Sequence, residues 1–155
     1  MGMRVLLALL AGAAIVLWNP DRSRGTEACT ADATKSLIQS FVRGYAAGHV
    51  AAIDRMFAPE PRFEWFSAGK PASRYGSVAE NRATLRAYFR ARVRKHERIR
   101  ITRLGAGYDP ARQIVNFGGK LIRRADDIRP RRGPTDFKGA ADCVTGRPTF
   151  IVWSM

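Results

Sequence analysis

The chain has 155 residues and a mass of 17.2 kDa, with 27 Lys+Arg against 13 Asp+Glu and a formal charge of +14. That length fits one domain of ordinary size. A hydrophobic share of 46% and a mean hydropathy of −0.24 exclude a disordered tail and a multi-span membrane protein, and two cysteines are too few for a disulfide-framework miniprotein.

Residues 1–18 read as a signal peptide or a membrane anchor. Met1–Arg4 is a short basic start, and Val5–Leu17 is an unbroken apolar run. The run is long enough for a signal h-region but shorter than the roughly 20 residues that span a bilayer squarely. Residues 19–31 follow as a linker, opened by the helix-breaking Asn19-Pro20-Asp21. Either form of leader puts the folded domain, residues 32–155, outside the cytoplasm, secreted or tethered. There, Cys29 and Cys143 read as either a disulfide between the first helix and the last strands or two buried thiols.

Ala33–Gly48 sets Leu37, Ile38, Phe41, Val42 and Tyr45 at amphipathic-helix spacing, with Asp32 as N-cap and Gly48 as stop. A second helix, His49–Phe57, is ended by Pro59 and Pro61. Arg62–Ser67 alternates as a strand, with Phe63 and Trp65 on one face and Glu64 and Phe66 on the other. Lys70–Gly76 is a loop, and Ser77-Val78-Ala79-Glu80 has the spacing of a capping box that opens a long helix reaching His96. Ile99–Leu104 and Ile114–Ile122 pair as strands around a turn that uses Gly105-Ala106-Gly107 and Asp109-Pro110-Ala111. Ala125–Lys138 is a charged loop, and Phe137–Val144 with Thr149–Met155 form the closing hairpin. Three helices with one strand interposed, then four strands, predict an α+β fold: three amino-terminal helices packed on a curved antiparallel β-sheet.

That order, together with Gln39–Pro59 (QSFVRGYAAGHVAAIDRMFAP), resembles the nuclear transport factor 2-like, or SnoaL-like, superfamily. The resemblance rests on the first helix, its Ala47-Gly48 stop, a second helix ending Met56-Phe57-Ala58 and an aromatic strand next, and it covers residues 33–155. It implies a cystatin-like cone with an apolar pocket between helices and sheet. It is nearly silent on function, because the superfamily holds isomerases, dehydratases, cyclases and non-catalytic binders. Its ketosteroid isomerases use a first-helix tyrosine and a first-strand aspartate. Aligned through Gly48 and Phe57, those positions fall on Phe41, which has no hydroxyl, and Trp65, which cannot take a proton. That activity does not carry over. His49 stands where the superfamily commonly has aspartate, and helix capping accounts for it.

What remains is a pocket walled by Phe41, Tyr45, Phe63, Trp65 and Phe89, with Arg92 and His96 on the same face of the long helix. Arg92 there either meets an anionic ligand or closes an ion pair, with Asp54 and Glu64 as partners. An enzyme of SnoaL-like type would draw its base from Asp54, Glu64 or Asp142 and its acid from Tyr45. Arg82, Arg86, Arg90 and Arg94 form a row at spacing four, a surface for anionic lipid or envelope polymer. Arg129, Arg131 and Arg132 form a second cluster. With 22 arginines to 5 lysines, a compositional bias also accounts for part of the charge. Export and the lack of a recognised motif argue against nucleic acid. No cofactor or metal is expected, since His49 and His96 are the only histidines and no ligand spacing occurs. A binding module is the expectation, with a small-molecule ligand, an anionic surface or a second copy of the chain as partner.

Overall fold

In the computed structural model, which describes residues 29–68, 77–128 and 133–155, Thr30 caps the first helix. Its Oγ1 accepts from the Ala33 amide at 3.0 Å, and α1 runs Ala31–Ala47. Asp32, the expected cap, lies in the first turn and pairs with Lys35. Gly48 ends α1 at φ 73°, a left-handed conformation in which glycine carries no Cβ penalty. The leader, most of the linker, the loop 69–76 and the Arg129, Arg131, Arg132 cluster lie outside the described residues.

The second helix, α2, covers only Val50–Asp54. It stops short of Phe57 because the chain there pairs with the last strand: the Phe150 amide donates to Met56, and the Ala58 amide donates to Phe150. A turn follows, in which the Arg62 and Phe63 amides both donate to the Pro59 carbonyl. Strand β1 therefore begins only at Trp65 and runs Trp65–Ala68. Ser77–Ala79 is not a capping box but strand β2, paired with β1. The box sits one step later: Asn81 accepts from the Thr84 amide while Thr84 Oγ1 faces the Asn81 amide, and α3 runs Arg82–Arg94. His96 lies beyond its end at φ 51°.

Strands β3 (Arg98–Asp109) and β4 (Ile114–Arg124) are longer than the alternation implied. Gly105-Ala106-Gly107 belongs to β3, opposite Gly118, Phe117 and Asn116, and is not the turn. Asp109 Oδ1 makes the turn instead, accepting from the Ala111 and Arg112 amides. The charged loop begins where expected, after β4 ends at Arg124, but is shorter because β5 already starts at Thr135 (Thr135–Asp142). Strand β6 is Thr149–Ser154.

The six strands form one curved, unclosed sheet in the order β2-β1-β6-β5-β4-β3. All neighbours are antiparallel except β1 and β6, which run parallel, so the sheet is mixed rather than wholly antiparallel. The helices pack on one face of this sheet, with α1 laid against β3 and β4. On that face the register aligns Ala106, Phe117, Gly139, Trp153, Phe66 and Ala79 in a single row across all six strands. Gly139 is required there: a Cβ would stand 2.4 Å from Phe117 Cζ and 2.3 Å from the Val152 carbonyl oxygen. At the other end of α1, Cys29 and Cys143 form a disulfide, with Cα atoms 5.6 Å apart across 114 residues of chain. A loop of that length corresponds to about 4–5 kcal/mol of unfolded-state restriction.

Gly139→Ala is expected to cost about 1–3 kcal/mol, since both clashing groups are held by the sheet. Gly107→Ala, where a Cβ meets nothing within 4 Å, is expected to stay within about 0.5 kcal/mol. Urea unfolding of the two variants checks the contrast.

Candidate functional site

The space in which the fold would hold a pocket is occupied by rings. Phe41 meets Trp153 at 4.6 Å between centroids, Tyr45 at 5.6 Å, Phe150 at 5.8 Å and Phe89 at 6.0 Å. Phe57, Phe63 and Phe66 close the cluster toward β1. Of the expected pocket walls, Phe41, Tyr45, Phe63 and Phe89 are all buried here and touch one another or their neighbours. Trp65 is not among them. The turn before β1 breaks the alternation that joined Phe63 to Trp65, so Phe66 faces the helices and half-buried Trp65 lies on the outer face beside Val152.

A polar network lies where α3 meets β3. Glu97 is fully buried and accepts from Arg92 Nε and, at 2.6 Å, from Arg123 Nε. Arg92 also donates both terminal nitrogens to Asp127, at 2.9 and 2.8 Å, in a bidentate fork. Arg123 Nη2 donates to Tyr88 Oη at 2.9 Å. Two guanidiniums and two carboxylates thus balance in a desolvated corner. Burial alone would lower the Arg92 pKa, but its hydrogen bonds to Asp127 and Glu97 outweigh that and hold it above the ordinary value. Burial pushes the Tyr88 hydroxyl up to about 12, with Arg123 opposing. Burial drives Tyr45 higher still, with the neighbouring Tyr88 adding to the shift. Arg92 is therefore buried as the helix periodicity implied, but its partners are Glu97 and Asp127 rather than Asp54 or Glu64. His96, off the helix and exposed, pairs with Asp126 at 2.8 Å.

The remaining candidate acids are dispersed. Asp54 accepts from Arg86 Nε at 2.9 Å and lies 3.3 Å from Arg82 Nη2. Asp142 pairs with Arg62 at the end of β5, and Glu64 is exposed before β1. Among the described residues, no three His, Cys, Asp or Glu side chains gather as metal ligands, and no helix is long and apolar enough to cross a membrane.

The arginine row divides by partner. Arg82 and Arg86 are tied to Asp54, whereas Arg90 and Arg94 are exposed and in no ion pair among the described residues. Beyond the row, Lys95, Arg98, Arg100 and Arg124 are likewise exposed and unpaired, and Arg98 stands directly opposite Arg124 in the β3–β4 register. The contributions of Arg100 and Arg124 were not singled out from sequence, although the apolar positions Ile99 and Ile101 already assign Arg98 and Arg100 to the opposite face. A cleft of about 530 Å³ lies between α2 and α3, lined by Val50, Ala51, Asp54, Arg55, Arg86 and Arg90. Another, of about 450 Å³, lies over Arg103, Lys120, Asp136, Lys138 and Ser154, with Gly119 and Phe137.

Glu97→Gln leaves two buried guanidiniums facing a neutral group and is expected to cost about 3–5 kcal/mol, read by chemical denaturation. Asp127 adds a pH dependence. The hydrogen bond from Arg92 holds its carboxyl below the ordinary 3.8, so its stabilisation is full above about pH 4. It is lost as pH falls through the folded-state value. Asp127→Asn should flatten the acid limb of a stability–pH curve.

No family model matches the sequence, and no curated protein matches it. Solved structures do. A Mycobacterium tuberculosis protein of unknown function superimposes with a TM-score of 0.62 at 13% identity, covering 89% of this chain and 75% of its own. A putative dehydratase of the nuclear transport factor 2-like family from Streptomyces avermitilis gives 0.63 at 6% identity, covering 88% and 96%. A putative calcium/calmodulin-dependent protein kinase II association domain from Xanthomonas campestris gives 0.57 at 14% identity, covering 96% and 95%. At such identities the likeness is one of fold, and it agrees with helices packed on one face of a curved six-stranded sheet: the chain has the nuclear transport factor 2-like, cystatin-like fold.

Proposed function

We propose that the chain is an exported or membrane-tethered binding module whose working surface is the basic corner at the end of α3 and the start of β3, and whose partner is an anionic envelope surface. The observation that carries this reading is the opposition of Arg98 and Arg124 with no acid between them. Like charges directly across a strand pair are destabilising, by a few tenths of a kcal/mol to about 1 kcal/mol. Arg94, Lys95 and Arg100 are exposed close by in the chain, and they outnumber the acids there, Asp126 and Asp127, which are held by His96 and Arg92. Arginines on an edge strand also discourage unwanted strand pairing, but that accounts only for those on β3. An anionic surface offsets the repulsion of the whole group. The ring-filled interior supports a surface reading over an apolar ligand held inside.

The test is co-sedimentation of the full chain with phosphatidylglycerol-containing and pure phosphatidylcholine vesicles. Preferential binding to the anionic vesicles, weakening with salt, is expected. The Arg94→Glu, Arg98→Glu, Arg124→Glu variant should lose that preference, while keeping whatever its apolar leader contributes. Equal binding of parent and variant would overturn the reading.

A second reading is favoured by Trp65, Val152 and exposed Val78 on the sheet face turned away from the helices. One structural neighbour is named an association domain, which fits a module that pairs through this face. Light scattering should then give a concentration-dependent dimer that Trp65→Glu abolishes. A monomer at all concentrations removes this reading.

A further inference from the structure

We propose that the cleft between α2 and α3 is a discrete binding site for a small phosphate-bearing molecule, separate from the basic corner. Asp54 is buried and fixes the arginines around it. Arg86 places both Nε, at 2.9 Å, and Nη2, at 2.8 Å, on the same Asp54 oxygen. That side-on fork sets the plane of the guanidinium and leaves Nη1 without a protein partner among the described residues. Arg82 lies on the other side of Asp54, donates to the Asp54 and Ala58 carbonyls, and is not among the residues that line the cleft.

One carboxylate therefore serves two guanidiniums, and the cleft holds two more that it does not serve. Arg90 follows Arg86 by one helical turn, and Arg55 reaches the same space from the end of α2. Neither is in an ion pair among the described residues, and both are exposed. Asp54 lines the cleft and neutralises Arg86, whereas Arg90, one turn on, and Arg55 have no acid of their own there. Three guanidiniums converging on one concavity, one of them held by a buried acceptor, form a preorganised donor set for an oxyanion with several acceptor oxygens. Val50 and Ala51 give the cleft an apolar wall. The cleft is a half-open groove of about 530 Å³, with room for a small organic phosphate.

The test is calorimetric titration of the full chain with glycerol phosphate, inorganic phosphate and acetate, at constant ionic strength. Saturable binding of glycerol phosphate at one site per chain is expected, with acetate at least about tenfold weaker. Arg55→Gln and Arg90→Gln should each weaken glycerol phosphate about tenfold. Both side chains are exposed and unpaired, so an unchanged melting curve will show that the fold is intact. Arg98→Gln, in the basic corner, should leave the titration as it was. Loss of binding in Arg98→Gln but not in Arg55→Gln or Arg90→Gln would overturn the proposal. So would binding to phosphatidylglycerol vesicles without any binding of soluble glycerol phosphate, since that is the behaviour of a surface rather than a site. The corner reading and the cleft reading can thus fail separately.

Discussion

The contact between Phe41 and Trp153 decides what this molecule can be used for. A first-helix ring set 4.6 Å from a ring on the central strand β6 leaves no layer between helix and sheet, and Phe89, Phe117 and Phe150 pack around the pair. Each fully buried phenylalanine is worth about 1.5–3 kcal/mol relative to exposure, so the cluster is a principal source of stability. It also sets demands elsewhere. Phe117 can lie flat along the sheet only because Gly139 beside it has no side chain, and Phe150 and Trp153, three residues apart, can both face inward because β6 carries an extra residue between its pairings with Ala140 and Ala141. With the interior committed to packing, polar chemistry is left at the margins.

Those margins are not equivalent, although the sequence charge alone makes them look so. Every described aspartate is spent on an arginine, a lysine or His96: Asp32, Asp54, Asp109, Asp126, Asp127, Asp136 and Asp142 each have a cation within 4.0 Å. Buried Glu97 holds two. A merely compositional surplus of arginine would be spread over the surface, where repulsion is least. Some of the unpaired cations do lie apart, at Arg43, Arg103, Lys138 and Arg147, but the others meet around Arg98 and Arg124 and around Arg55 and Arg90. Electrostatic self-repulsion of that kind is tolerated where a counter-charge arrives from outside.

How much of this was legible depended on whether a signal was local. Helical spacing identified Ile38, Phe41 and Tyr45 as buried, and Gly48 as the stop, because one helix turn suffices to express both. The errors arose where two local readings competed and a distant strand decided. Ser77–Glu80 satisfies a capping-box pattern, but pairing with β1 claims it, and Asn81 with Thr84 offers an equivalent cap immediately after. Gly105-Ala106-Gly107 has turn composition, yet its small residues suit a strand opposite Gly118 and Gly119, where backbones approach closely. Trp65 was assigned the wrong face because Phe63, though buried, belongs to a turn and carries no strand phase. Arg92 was placed on the correct face with the wrong partners, because Asp127 is 35 residues away and nothing short-range announces it.

The disulfide gives these surfaces an orientation. Cys29 sits at the start of α1, and the other end of that helix packs near α3, where Gly48 lies close to Val93. Seventeen helical residues span about 25 Å, so the attachment point and the basic corner lie at opposite ends of the domain. A tether preceding Cys29 would hold the domain by the end remote from the basic corner, beside the exposed Arg147 of the β5–β6 turn. The ten residues 19–28 reach at most about 33–36 Å when extended, roughly enough to let the domain turn and bring that corner back to the surface it is tethered to. The tether would then raise the local concentration of anionic groups around weak individual contacts. A shorter linker would forbid that contact and point the corner outward, toward polymer or partner rather than lipid. For a domain tethered in this way, linker length would decide which anionic surface the corner could meet.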